Sequence, residues 1–203
     1  MYDLLAEKLI HLWEGPVAEA YQEGRLVNLT MLQAEWYRHL DGEGQPPLQV
    51  WLSPRLVFFR QEGVIFDELE DYQLRQWLSN QQPALLVTRG EEIVAIAEIS
   101  FSPDDYVDYR RPVRRLVFFH QLAGRAFIHL GLEPESGRPD PRSLYEISPN
   151  LLCVYALVTR FSALALDGDT LRREHDPQRF PRRFLHLRGS VRPEKIAFSH
   201  ALL

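Results

Sequence analysis

The apolar segment from Pro83 to Phe101 constrains the fold more than any other part of the chain. It predicts two strands, Ala84–Thr88 and Ile93–Phe101, with the aliphatic and β-branched residues that are typical of central strands. Gly90 lies between them and can adopt the positive φ that a tight turn requires. Because the second strand is apolar at almost every position, we expect both of its faces to be covered. The segment therefore predicts a hairpin at the centre of a sheet.

Glu98 is a carboxylate near the end of the second of these strands, with apolar or small neighbours on both sides. Strand alternation places Ile96, Glu98 and Ser100 on one face of the sheet. A buried carboxylate needs a partner, a proton or a metal, because burial of a bare charge is costly. Ser100 is one candidate for a hydrogen bond to Glu98.

Helical and strand patterns alternate along the rest of the chain. Thr30 as N-cap and Gln33 three residues later predict the start of one helix. The other predicted helices are Tyr2–Trp13, ended by Gly15-Pro16, then Phe66–Ser79 and Val113–Leu130. The remaining predicted strands are Leu48–Leu52, Arg55–Arg60, Leu151–Val158, Phe161–Leu166, Phe184–Val191 and Ile196–His200. The proline-rich segment Glu133–Pro149 predicts a loop.

This order predicts an α/β protein with a mixed central sheet flanked by helices. A right-handed crossover from the Glu98 strand through the helix Val113–Leu130 would make the strand Leu151–Val158 parallel to it. The chain has 203 residues and no segment typical of an interdomain linker, so residues 1–203 predict a single domain.

Composition narrows the class of protein. The single cysteine, Cys153, rules out an internal disulfide and favours a reducing, cytoplasmic location. We expect no signal peptide and no membrane segment, because no apolar run has the required length. A net charge of −5 argues against a surface dedicated to binding phosphate backbones.

The hairpin resembles the active-site hairpin of the PD-(D/E)XK, or restriction-endonuclease-like, nuclease superfamily. In that family a Pro-Asp opens the first strand and a Glu-x-Lys closes the second. Here the corresponding residues are Pro83-Ala84 and Glu98-Ile99-Ser100. The resemblance implies a restriction-endonuclease-like core over roughly residues 29–166, with an N-terminal helix and a C-terminal strand extension.

The resemblance also implies a site that has lost most of its chemistry. In the family the two acids hold a divalent cation, which activates water and screens charge on the phosphate, and the lysine assists the nucleophile. Ala84 offers no ligand and Ser100 offers no positive charge, so Glu98 remains as a vestigial catalytic residue. The chain has only two lysines, Lys8 and Lys195, one near each terminus.

Relocated residues would have to restore the missing functions. Some members of the family use a helical glutamate as an auxiliary metal ligand, which makes Glu35 and Glu98 the candidate metal ligands. The acidic segment Asp67–Asp71 is another source of a carboxylate, although carboxylates there also suit a helix N-terminus. Arg89 could replace the lost charge but is a poor base, because it stays protonated.

An arginine cluster lies at the start of the helix that follows the hairpin. Its members are Arg110, Arg111, Arg114 and Arg115. One interpretation is a patch that contacts the phosphates of a nucleic acid. The other is pairing with Asp104, Asp105 and Asp108 just upstream, which the acidic net charge favours.

Three hypotheses of function follow. The first is a non-catalytic protein on a nuclease-like fold that acts as a binding, regulatory or structural component, without a cofactor. The second is a nuclease dependent on Mg²⁺ or Mn²⁺, with relocated catalytic residues. The third is an unrelated α/β interaction module. Under all three hypotheses the sequence leaves the partner open between a weakly bound nucleic acid, another protein and a second copy of the chain.

Overall fold

The computed structural model describes residues 4–54, 56–60, 82–103, 107, 109–130, 140–160, 171, 179–192 and 194–203. The helices are α1 (Leu4–Leu12), α2 (Ala18–Gln22), α3 (Leu29–Leu40) and α4 (Arg110–Gln121). A π-helical turn (Trp13–Val17) joins α1 to α2, and a 3₁₀ turn covers Pro141–Ser143. The strands are β1 (Leu48–Leu52), β2 (Val57–Arg60), β3 (Leu85–Arg89), β4 (Glu92–Ser102), β5 (Ala126–His129), β6 (Leu144–Thr159), β7 (Phe184–Arg192) and β8 (Lys195–Leu202).

The described strands form one mixed sheet of eight strands in the order β1-β3-β4-β6-β5-β2, with β7 also paired to β6 and β8 to β7. Strands β4, β6 and β7 run parallel to one another, and the other pairs are antiparallel. The α/β class with a mixed, helix-flanked sheet is confirmed. The parallel pairing of the Glu98 strand with the strand after α4 is confirmed as well.

The sheet separates two apolar layers, because alternate residues of its central strands point to opposite sides. Helices α1 and α3 pack on one side, where Trp36 belongs to the same apolar cluster as Ala97 and Val154 of the sheet. Helix α4 packs on the other side, where Leu116 and Ile96 belong to a second cluster. Strand β4 is therefore buried on both faces, as its apolar sequence predicts.

The central hairpin has the predicted form. Its two strands, β3 and β4, agree with the prediction to within one residue at each end. Gly90 has a φ of +59° in the turn, a conformation that costs glycine little. Leu85 pairs with Ala97 and Leu86 with Ile96, so the register keeps both strands in the same two layers.

The prediction of a helix over Val113–Leu130 is wrong at both ends. Helix α4 ends at Gln121, and β5 follows it with alternating burial. Gly124 ends the helical region with a φ of +67°, and its amide donates to the carbonyl of Ile147 at 2.7 Å. A sheet contact that is distant in sequence therefore decides where this helix stops.

Strand β6 begins at Leu144, within the segment predicted as a loop. Pro149 is tolerated there because the pairing with β4 is irregular: the register passes from Ile93–Ile147 to Ala95–Leu152. A proline cannot donate to a neighbouring strand, so it fits where the ladder is interrupted.

Two boundaries among the N-terminal helices also differ from prediction. Asn28, not Thr30, caps α3, and its side chain accepts a hydrogen bond from the amide of Met31 at 3.0 Å. The Gly15-Pro16 pair does not break the helix; it lies in the π-helical turn, whose wider hydrogen-bond spacing accommodates a residue that has no N–H.

Several predictions lie outside the described residues: the helix Phe66–Ser79, the strand Phe161–Leu166, the acidic segment Asp67–Asp71, and the acids Asp104, Asp105 and Asp108. The final hairpin is confirmed as β7 and β8. Among the helices that the structure describes, none has both the length and the apolar character needed to cross a bilayer.

Candidate functional site: a buried polar row on the central sheet

Glu98 lies in β4 with only 2% of its surface exposed. It stands beside Tyr155 in the parallel register with β6. Its neighbours in β4 are buried as well, so the carboxyl is almost completely removed from water. Such a group must be neutralised, either by a proton or by a positive charge.

Arg115 supplies the positive charge. It lies in the second turn of α4, its side chain is 17% exposed, and its guanidinium donates a hydrogen bond to Oε2 of Glu98. Among the described residues, Oε1 of Glu98 has no hydrogen-bond partner. The carboxyl group is therefore satisfied on one side only.

Burial raises the pKa of Glu98 to about 8, against the lowering effects of Arg115 and, more weakly, of Arg111. Desolvation disfavours the carboxylate more than the guanidinium stabilises it. At neutral pH the carboxyl is therefore mainly protonated, and its ionised form has Arg115 as its partner. The proton neutralises most of the carboxyl groups at neutral pH, and the guanidinium of Arg115 neutralises the fraction that is ionised.

The polar row continues across two more strands. Glu98, Tyr155 and His186 are adjacent in register on the parallel strands β4, β6 and β7. The rings of Tyr155 and His186 stack, with centroids 5.5 Å apart and an interplanar angle of 11°. The hydroxyl of Tyr155 donates to Oγ of Ser100 at 3.2 Å. Ser100 thus has Tyr155 as its hydrogen-bond partner, and the hydrogen bond from Ser100 to Glu98 that the sequence suggested is not formed among the described residues.

His186 is completely buried, and neither ring nitrogen has a hydrogen-bond partner among the described residues. Burial, and secondarily the charge of Arg188, lowers the pKa of His186 to about 3. The imidazole is therefore neutral at physiological pH and acts in the core as a flat ring against Tyr155.

Ala84 belongs to a different environment from Glu98. It precedes Leu85, the first residue of β3, at a bend in the chain. Its carbonyl accepts hydrogen bonds from Nε2 of Gln33 at 2.5 Å and from the amide of Ser53 at 3.2 Å. Its side chain packs in the layer of α1 and α3, on the opposite side of the sheet from α4. The bend thus separates its methyl group from the Glu98 carboxyl.

Glu35 is part of an ion-pair group at the surface of α3. Its carboxylate contacts Arg25 at 3.3 Å, Arg38 through a hydrogen bond, and His39 at 3.6 Å. Because α3 and α4 cover opposite sides of the sheet, the structure does not bring Glu35 and Glu98 together. In the part of the chain that the structure describes, no group of three or more histidine, cysteine or acidic residues could hold a metal ion.

The arginine cluster divides into two parts. Arg110, Arg111 and Arg114 are exposed on α4, whereas Arg115 points to the sheet and to Glu98. The acids proposed as their partners, Asp104, Asp105 and Asp108, lie outside the described residues. Neither the interpretation as a phosphate-contacting patch nor the pairing with upstream aspartates includes the ion pair between Arg115 and Glu98.

Tyr155, His186 and the buried role of Gln33 were missed from the sequence. Tyr155 and His186 each lie within an apolar strand segment. A side chain that can form hydrogen bonds is unusual at such a position, and this was the available signal. Their adjacency to Glu98 depends on the register of parallel strands, which local sequence does not reveal.

Comparisons with protein-family models, with curated proteins and with solved structures found no match to the chain.

Proposed function

We propose that this chain is a non-catalytic protein on a PD-(D/E)XK nuclease-like fold, acting as a binding, regulatory or structural component. The observation that carries the proposal is the burial of Glu98 against Arg115. A metal ligand must present a free carboxylate to an ion and its waters. Glu98 is instead protonated or paired with a guanidinium, and is 2% exposed.

The order and pairing of the elements support the relation to the nuclease fold. Helix α3 precedes the antiparallel strands β1, β3 and β4, with β2 between β1 and β3 in the chain. Helix α4 then leads through β5, which is antiparallel to β6, to β6 itself, which is parallel to β4. This is the order of helix, strands, helix and strand that the resemblance implies. Glu98 and Ser100 of the degenerate motif lie on β4, whereas Ala84 precedes β3 and packs in the other layer.

The chemistry of the surrounding residues supports the absence of catalysis. Mg²⁺ prefers several oxygen ligands and gives up its waters reluctantly, so a single carboxylate is a poor site. Ala84 supplies no ligand and its side chain packs in the other layer. Ser100 supplies no charge, and Arg115 cannot act as a base because it remains protonated.

A cleavage assay tests the proposal. We expect purified protein to leave supercoiled, linear and single-stranded DNA and RNA intact with Mg²⁺ or Mn²⁺, and to show no heat of Mn²⁺ binding by calorimetry. The matched variant is Glu98→Gln, which keeps the shape and removes the charge. Cleavage by the wild type that Glu98→Gln abolishes would establish the metal-dependent nuclease instead, and cleavage that survives the substitution would identify a contaminant.

A further inference from the structure

A surface pocket of about 520 Å³ lies where the three parallel strands end. Ser102 of β4 pairs with Thr159 of β6, and Thr159 pairs with Ser190 of β7, so the carboxyl ends of these strands are level. In α/β sheets, ligands commonly bind outside the carboxyl ends of parallel strands. The volume lies within the range of about 300–1,000 Å³ that is usual for small-molecule sites.

The walls of this pocket are apolar and partly aromatic. Tyr21 and Phe101 line it together, with ring centroids 6.3 Å apart. Val27 and Ile196 also line it, although they are 61% and 41% exposed. Two exposed aliphatic side chains thus stand with the aromatic pair in the lining of the pocket.

Among the described residues that line the pocket, the charged side chains are arginines. Arg160 follows β6 and Arg192 ends β7, and both line the pocket. Lys195, at the start of β8, pairs with Arg192 in the strand register. No acidic side chain is among the described residues that line it, and the nearby Glu194 is exposed in the turn before β8.

We propose that this pocket binds a small organic anion with a planar aromatic body. The aromatic and aliphatic walls receive the ring, and the guanidinium of Arg192, with Arg160 beside it, binds a phosphate or carboxylate group. Phosphate monoesters of nucleosides and aromatic carboxylic acids share this chemistry. The pocket lies on the α1 and α3 side of the sheet, away from Arg115, so the proposal does not depend on the role of Glu98.

Calorimetric titration of the full chain separates the two sources of ligand. The probes are adenosine 5′-monophosphate and indole-3-carboxylate. Adenosine and inorganic phosphate, the two halves of the nucleotide, serve as controls. We expect at least one aromatic anion to bind, and each half-ligand to bind at least about tenfold more weakly, because one charge-assisted hydrogen bond contributes about a factor of ten or more. Equal binding of adenosine and its monophosphate would overturn the role of the arginines.

Two pairs of variants test whether the anion binds in this pocket. Arg192→Gln removes a pocket charge, and Arg125→Gln removes the charge of an exposed arginine that does not line the pocket. Val27→Glu places an anion at the pocket, and Met31→Glu makes the same change at an exposed position that does not line it. We expect the first member of each pair to weaken binding of the anion about tenfold or more, and the second to leave it unchanged.

Circular dichroism would show that each variant is folded, and both Val27 and Met31 are exposed enough for glutamate to be tolerated there. The proposal is overturned if no aromatic anion binds to the wild type, or if folded Arg192→Gln and Val27→Glu bind it as well as their controls do.

Discussion

Replacement of Arg115 with methionine isolates what the guanidinium does for the buried carboxyl of Glu98. Methionine keeps most of the length and apolar packing of the arginine stem but removes the charge and its hydrogen bond to Glu98. The carboxyl would then remain 2% exposed, with neither of its oxygens hydrogen-bonded to position 115.

The cost of this change should depend on pH. Below the pKa of Glu98, which burial raises to about 8, the carboxyl is protonated and the variant loses one hydrogen bond that has a charged donor, about 1.5–3 kcal/mol. At pH 8.5 the wild-type pair is largely ionised, whereas in the variant the buried carboxyl has lost the guanidinium that favours its charged form and keeps its proton. Proton linkage should therefore increase the destabilisation by about 0.8 kcal/mol between pH 5 and pH 8.5.

The wild type should show the complementary trend. A carboxyl with a folded pKa of about 8 and a usual value of 4.5 binds its proton more tightly in the folded state. Its contribution to stability is fully present below about pH 4.5 and is lost as the pH rises toward 8. The loss from this group between pH 5 and pH 8 is about 3–4 kcal/mol, and Glu98→Gln should remove that part of the pH dependence.

Urea unfolding at pH 5, 7 and 8.5 measures these effects, with tryptophan fluorescence as the signal, since Trp13 and Trp36 are completely buried. The double variant, Glu98→Gln with Arg115→Met, should cost less than the sum of the two single changes. If the single costs simply add to within about 0.5 kcal/mol, and the cost of Arg115→Met does not vary with pH, the two groups are not coupled and the account of Glu98 is wrong.

Two further predictions concern residues other than Glu98 and Arg115. His186→Phe should leave the free energy of unfolding unchanged or raise it by about 1 kcal/mol, because it keeps a flat ring against Tyr155 and removes two buried nitrogens that have no hydrogen-bond partner among the described residues. A loss of more than about 2 kcal/mol in urea unfolding would show that the imidazole makes a hydrogen bond. Gly124→Ala should lower the melting temperature, at a cost of about 1–2 kcal/mol, because its φ is +67° and the added Cβ would lie 3.2 Å from Cβ of Pro149. Gly15→Ala is the matched control, since its Cβ would meet nothing within 4 Å, and equal effects at both glycines would contradict this reasoning.

Local sequence was sufficient where neighbouring residues determine the structure. The hairpin of β3 and β4 follows from two apolar runs and from Gly90, whose φ of +59° suits the turn. The final hairpin, β7 and β8, follows from the same kind of pattern. The α/β class follows because a helix between two apolar strands favours a parallel crossover.

Elements that depend on distant contacts were predicted less well. Helix α4 ends at Gln121 because the chain at Gly124 bonds to Ile147 in β6, and residues Ala126–His129 then join the sheet. Likewise, β6 extends back to Leu144 because β5 pairs with it there. In both cases helical or loop preference is overridden by sheet hydrogen bonds that the local pattern does not contain.

The sequence by itself determined that the carboxyl of Glu98 would be buried, since apolar strand residues surround it and burial of a bare charge must be compensated. Only the tertiary structure decided which groups compensate for the burial of this carboxyl. Arg115 is 17 positions away in the chain and reaches Glu98 because the crossover folds α4 across β4. Tyr155 and His186 join the row because the register of three parallel strands aligns them. Compensation of charge is a local requirement, but the choice of partner depends on which side chains the fold brings within hydrogen-bond distance.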